Sequence, residues 1–247
     1  MLTHLVSQQE RKDVTIMKIT LYADIVSPFS YIAYHVLRHD PVFKDCEITY
    51  IPIFLGGLFK KTGNRAPLEV KNKDKWIDND RRLWSGYFNV PITHDVPTGF
   101  PANTVHVMRT ICALSRLASP DASPSSSPSQ PGQQATVKAL DAFFEAYWVR
   151  NRDVADKTVV AEVLKGLPGW GKDLAKVAEV TGGDGKTVLA DNTDRAFADG
   201  AFGLPWMVCE NDRGEKEGFW GVDHLGAVLD FLGLEKPAGR KEWKAML

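Results

Sequence analysis

Ser27-Pro28-Phe29-Ser30 stands between a strand-like run, Lys18 to Asp24, and a helix-like run, Tyr31 to Leu37. A dithiol that cycles through a disulfide would need Cys-x-x-Cys at such a junction. Serine holds both places, so no disulfide can form there. What remains is a hydroxyl at a helix N-terminus, where unpaired backbone N–H groups and the macrodipole favour an anion. Such a place suits a thiolate carried by a bound small thiol rather than by the protein. The plainer reading is a Ser N-cap followed by proline in the first helical turn.

Other residue types along the chain could bear on the same chemistry. Asn64 lies in a Gly-Asn turn, where asparagine is favoured for its tolerance of the left-handed conformation. Lys73 sits in a charged run and could equally be a solvated side chain. Asp223 falls at the start of the last helix, where a carboxylate complements the dipole. Leu204-Pro205 opens a strand, a usual place for proline. His35, His39 and His106 lie on helical patterns and are not spaced as metal ligands, so no metal is expected. Cys46 and Cys209 sit in strand-like apolar runs and Cys112 in a helical one. All three read as buried small hydrophobes in a reducing compartment.

Composition narrows the classes. The chain has 247 residues, and its 30 basic and 31 acidic side chains nearly cancel, without the basic footprint of a nucleic-acid binder. No apolar stretch approaches membrane-spanning length. Met1 to Ile16 is mostly polar and reads as a tail, lacking the apolar centre of a secretory signal and carrying acids that a mitochondrial presequence avoids. Ala245-Met246-Leu247 matches a peroxisomal tripeptide only at its ends. An intracellular protein is expected, with mitochondrial, peroxisomal and cytoplasmic addresses all left open.

The elements that must position these residues follow from pattern. A helix between two strands, Lys18 to Asp24 and Cys46 to Ile53, makes a parallel βαβ crossover. Phe54 to Arg65 reads as a loop. Helical periodicity then dominates, with a helix from Thr104 to Leu117 and an apolar stripe at Leu140, Phe143, Phe144, Tyr147 and Trp148. Between them, the Ser- and Pro-rich run from Ser119 reads as an exposed loop. Pro205 to Glu210 and Gly218 to Trp220 form a hairpin about Asn211-Asp212-Arg213-Gly214. Val222 to Leu232 is a closing helix ended by Gly233. The order βαβ, helices, ββα is that of an α/β thioredoxin-like fold with an inserted all-helical domain. The boundaries are 17–65 and 197–247 for the discontinuous thioredoxin-like domain and 66–196 for the insert, with a low-complexity loop at 119–135.

Five separated pieces now matter together. They are Ser27-Pro28-Phe29-Ser30; Gly63-Asn64-Arg65-Ala66-Pro67; Lys73 with Trp76 and Asp80; Gly200-Ala201-Phe202-Gly203-Leu204-Pro205; and Phe219-Trp220-Gly221-Val222-Asp223. In order and spacing, over residues 17 to 234, they resemble the kappa-class glutathione transferases. The wider group includes 2-hydroxychromene-2-carboxylate isomerases and DsbA-like oxidoreductases. Val222 stands where kappa enzymes often have serine, the Ser-Pro-rich loop has no counterpart, and Phe219-Trp220-Gly221 looks at least as much like the isomerase branch.

The resemblance implies glutathione as substrate or cofactor, and a small hydrophobic electrophile or hydroperoxide as its partner. It implies that Ser27 donates its hydroxyl hydrogen to the glutathione sulfur, beside Pro28 and Phe29. It implies a cis Pro205 that turns the Leu204 backbone toward the peptide, and contacts from Asn64, the Val222 backbone and Asp223, the last to the α-amino group. Lys73 would face the carboxylates, and the assembly would be a homodimer. A glutathione-dependent isomerase and a non-catalytic thiol-binding module are the alternatives.

Overall fold

The computed structural model describes residues 16–120, 128–240 and Trp243. The first fifteen residues and Ala245-Met246-Leu247, on which the address expectations rest, lie outside them, as do residues 121–127 of the Ser-Pro run.

The first strand, β1 (Lys18–Ala23), leads through a short turn into α1 (Pro28–His39), and β2 (Glu47–Pro52) returns parallel to β1. Alternation along β1 sends Ile19, Leu21 and Ala23 into the main core and Tyr22 to the other face, where Ile51, Ile53, Leu58 and Leu204 form a smaller cluster. The chain then runs through α2 (Leu55–Thr62), α3 (Lys73–Tyr87), α4 (Val105–Ala118), α5 (Pro131–Phe144), α6 (Lys157–Gly166), α7 (Leu174–Gly182) and α8 (Asp184–Ala198). It comes back as β3 (Trp206–Glu210), β4 (Lys216–Trp220) and α9 (Leu225–Leu232). The sheet order is β2-β1-β3-β4, with β3 antiparallel to both of its neighbours. This is the expected βαβ–ββα plan with helices interposed. One continuous apolar cluster takes in Leu21 and Val228 from the sheet unit and Val107, Phe143 and Trp148 from the interposed helices.

Three local readings change. Residues 54–65 are not a loop: Leu55–Thr62 is α2. Gly56 and Gly57 read as breakers, yet a Cβ on Gly56 would stand 2.9 Å from Phe54 Cζ and one on Gly57 3.3 Å from Phe54 Cδ1. The paired glycines make room for the Phe54 ring over the first turn, so tertiary packing outweighs propensity. The expected loop at 119–135 ends early, because Pro131 is well placed in the first turn of α5. Cys46 is half-buried in the turn ahead of β2 rather than inside a strand, its N–H bonded to Phe43 O.

The aromatic stripe is buried throughout, but its last part winds more widely. Glu145–Val149 is a single π-helical turn continuing α5. Such turns often mark functional places, and this one swings Trp148 so that its indole N–H donates to Ile25 O at 2.8 Å.

Gln133, on α5, makes a paired contact with β2. Tyr50 N–H donates to Gln133 Oε1 at 3.1 Å, and Gln133 Nε2 donates to Tyr50 O at 2.9 Å. Both backbone groups are buried, so Gln133→Leu would leave a donor and an acceptor unmade. The expected loss is about 2–4 kcal/mol, read as a drop of several degrees in the thermal unfolding midpoint. A variant that melts with the parent would show that the side chain is replaceable there.

Candidate functional site

Ser27 is the N-cap of α1, with extended backbone (φ −87°, ψ 116°) and its hydroxyl oxygen accepting Ser30 N–H at 3.1 Å. Pro28 follows as the first helical residue, and the first turn of α1 holds no acid to neutralise the helix end. The capping bond uses a lone pair on Oγ. It leaves the hydroxyl hydrogen free to point away from the helix, toward whatever anion lies in front of it. The plain reading of Ser27 as a cap and the chemical reading of Ser27 as a donor are therefore compatible in one geometry. Ser30, at the other end of the motif, is fully buried, and its Oγ has no hydrogen-bond partner.

Asn64, Leu204, Pro205, Val222 and Asp223 come from three loops that bond to one another. The left-handed Gly63 (φ 70°) ends α2 and turns the chain at Asn64. There Nδ2 donates to Phe202 O at 2.9 Å while Oδ1 accepts Arg65 N–H at 2.9 Å. Asn64 is thus fastened to the stretch that carries Leu204 and Pro205. The Leu204–Pro205 bond is cis, both residues are buried, and Pro205 O accepts Gly221 N–H at 3.1 Å. That bond brings in Val222 and Asp223, which open the 3-10 turn Val222–His224 packed against α1. Gly221 has φ 94°, and any Cβ there would collide with Asp223 Oδ1, so only glycine lets the carboxylate fold back over the turn.

Phe29 and Trp76 meet with ring centroids 6.4 Å apart, docking α3 on α1, and Trp76 stays largely exposed. One turn beyond Trp76, Asp80 lies close enough to Asp223 for the two carboxylates to act on each other. Burial first, and then the Asp223 charge, raise the Asp80 carboxyl above its ordinary range. Lys73 is exposed at the start of α3 and makes no ion pair among the described residues, which leaves the solvated reading in place.

No protein thiol is activated here. Burial pushes Cys46 up to about 11 and Cys112 to about 12, and raises Cys209 as well. Among the described residues, no group of three or more His, Cys, Asp and Glu is arranged to hold a metal. No helix among them is long and apolar enough to cross a membrane. His35 and His39 stack edge to face, centroids 4.4 Å apart, toward the far end of α1.

Sequence reasoning passed over Asp24, Thr104 and Trp148. Asp24 follows β1 directly and is completely buried. Desolvation raises its carboxyl to about 6, against the pull of N–H groups from Leu55, Val26 and Ile25 and of the Thr104 hydroxyl. A folded-state value above the ordinary 3.8 means that folding favours the protonated form. The resulting destabilisation is absent well below pH 4, grows between about pH 4 and 6 and is complete above, where it amounts to about 3 kcal/mol. A charge at the end of an apolar strand, just before a helix start, was the available signal.

Comparison with known proteins bears on the chain as a whole. A family model described as a DSBA-like thioredoxin domain matches residues 18–233. A protein named glutathione S-transferase kappa 2, from Caenorhabditis elegans, is 28% identical over 221 residues, 87% of this chain and 91% of its own. A 2-hydroxychromene-2-carboxylate isomerase from Sphingobium xenophagum is 26% identical over 216 residues, 87% of this chain and 97% of its own. Among solved structures, one of a 2-hydroxychromene-2-carboxylate isomerase superposes with a TM-score of 0.67 at 20% identity, covering 87% of this chain and 94% of that one.

The two serines of the motif differ in a way that stability measurements can read. Ser27→Ala removes a side-chain cap and should lower stability by about 0.5–2 kcal/mol. Ser30→Ala removes a buried hydroxyl with no partner and should be neutral or stabilising. Denaturant unfolding of both variants gives the comparison, and a Ser30 variant weaker than the Ser27 variant would reverse this account.

Proposed function

The chain belongs to the DsbA-like thioredoxin domain family, and from that premise we propose that it is a glutathione-dependent enzyme of the kappa-transferase type. Ser27 holds the glutathione sulfur as thiolate for attack on a small hydrophobic electrophile or a hydroperoxide. The observation that carries this reading is the Ser30 N–H to Ser27 Oγ bond of 3.1 Å. It fixes the oxygen and frees its hydrogen at a helix N-terminus whose first turn holds no acid. With serine at both motif positions and all three cysteine thiols held protonated by burial, the reacting sulfur comes from a bound thiol.

The neighbouring residues divide the rest of the tripeptide. The Leu204 backbone ahead of Pro205 pairs with the peptide like an added strand, and Asn64 closes the loop beside it. Asp223, with Asp80 near it, suits the α-ammonium, and Val222 offers backbone only. In the transferase reaction the thiolate forms a bond to the electrophilic carbon as the leaving group departs, and the thiol proton goes to solvent. Lowering the thiol pKa by about one unit contributes about 1.4 kcal/mol toward that attack. A homodimer is part of the same proposal. Trp76, Leu83 and Tyr87 share one exposed face of α3 and offer apolar surface for it, and a monomer in light scattering would remove that part.

A second reading has its own support in the 26% identity to the isomerase and in Phe219-Trp220-Gly221. In it the thiolate adds to an unsaturated ring-opened aromatic acid and leaves again. Incubation with glutathione and either a chloronitrobenzene or a chromene carboxylate separates the two. Net consumption of glutathione marks a transferase, and turnover without consumption marks an isomerase. Binding without turnover of either would leave a thiol-binding module.

Ser27→Ala removes a hydrogen bond to an anionic sulfur, a loss of about 1.5–3 kcal/mol. Turnover near neutral pH should fall more than about tenfold, and the pH of half-maximal rate should move upward because thiolate is less favoured. Asp223→Asn should instead raise the apparent glutathione constant far more than it lowers turnover, as expected for an interaction made equally in ground and transition states. Steady-state kinetics across pH would detect either failure. Unchanged rates and profile in the Ser27 variant would remove its role.

A further inference from the structure

The Asp24 carboxylate has no part in the chemistry above, yet it sits where three segments of the site converge. Its Oδ1 accepts Val26 N–H at 3.2 Å, within the turn that carries Ser27. Its Oδ2 accepts Leu55 N–H at 2.8 Å, at the start of α2, which Gly63 closes just before Asn64. The third segment is the start of α4, where the Thr104 hydroxyl is buried, makes no hydrogen bond and lies near enough to favour the charged carboxylate. The carbonyl of Asp24 meanwhile accepts Ser27 N–H at 3.1 Å.

Tyr147, from the π-helical turn, feels the Asp24 charge, and its hydroxyl accepts Ala102 N–H at 3.1 Å. The groups that act most strongly on Asp24 are N–H and hydroxyl donors, and none of them is a cation. An ion so deeply buried and held chiefly by dipoles is a costly way to join three segments. Two backbone N–H donors on separate oxygens are held most strongly by a carboxylate, whose two oxygens are both charged acceptors. A protonated carboxyl keeps its hydrogen on one of those oxygens and weakens one tie.

We infer that Asp24 is a positioning residue whose ionised carboxylate sets the Ser27 turn against the start of α2, and so holds Ser27 in register with Asn64. The inference rests on Ser27 being the working hydroxyl of the proposed reaction. Protonation of Asp24 loosens the Leu55 or Val26 tie and lets the Ser27 turn drift from its partners. Thr104 sets how easily that happens, since its hydroxyl stabilises the charged form.

The test is a pH titration by amide NMR of the full chain, run beside steady-state kinetics. In the parent, the Val26, Leu55 and Ser30 amide signals should move together with one midpoint near pH 6, the value to which burial brings Asp24. Ser30 N–H reports Ser27 because it donates to Ser27 Oγ. Thr104→Val should move that shared midpoint upward by about half a unit or more, and Thr104→Ser should leave it in place. Asp24→Asn should abolish the titration and, if folded, lower turnover at neutral pH about tenfold with little change in the glutathione constant. Turnover in the parent should fall below the same midpoint, and in Thr104→Val below the shifted one.

A Ser30 signal that does not follow Leu55, or a midpoint that ignores Thr104→Val, overturns the inference whether or not Asp24→Asn folds. Absence of any glutathione-dependent turnover in the parent defeats the functional reading instead, and the NMR arm still decides whether Asp24 governs the Ser27 turn.

Discussion

The turn from Asp24 to Ser27 is tied at every point where it could move, and the site is built outward from those ties. Ile53 N–H reaches Ala23 O at 3.0 Å, Leu55 N–H reaches the Asp24 side chain, the Trp148 indole reaches Ile25 O, and Ser27 N–H turns back to Asp24 O. Buried backbone groups must find partners somewhere, and here the partners come from β2, α2 and the end of α5. The helix that begins at Ser27 therefore has a fixed origin. Its field of unpaired N–H groups points in one direction relative to Asn64, Leu204 and Asp223.

Much of this could be read from the sequence, and the boundary between legible and illegible is physical. Strands β1 and β3 and helix α4 announce themselves by local period, and each lies within a residue or two of its expected bounds, while the aromatic stripe is buried as its period implies. The motif at Ser27 is equally local, because cap, proline and helix are consecutive. What failed was decided by contacts distant in sequence or by an unusual local packing. Gly56-Gly57 looks like a loop until the Phe54 ring is seen lying across it. Trp148 reads as one more core aromatic until the π-helical turn redirects its indole to a carbonyl 123 positions away. Asp24 has no periodic signature, and its partners Leu55 and Thr104 are far along the chain.

Replacing two sulfurs by two hydroxyls also divides the motif into unequal halves. In a dithiol the second position attacks the sulfur of the first, so it needs a reactive group of its own. Here Ser27 stands at the edge of solvent, 6% exposed, and Ser30 is closed off at 0%. One position caps the helix through its oxygen and keeps a hydroxyl hydrogen to spare. The other keeps only a small side chain that fits beneath it, an oxygen that its surroundings never recruit.

The Gln133 contact has a bearing on what the sheet can become. β2 and β4 are its outer strands, and an outer strand with free N–H and C=O groups is a template on which another chain can assemble. By occupying both groups of Tyr50, one amide imitates a neighbouring strand for a single residue and blocks continuation of the ladder past it. Lateral growth of the sheet, whether by exchange of segments between copies or by fibril formation, is then directed to the β4 side. That side is only five residues long and carries Gly218 in its middle.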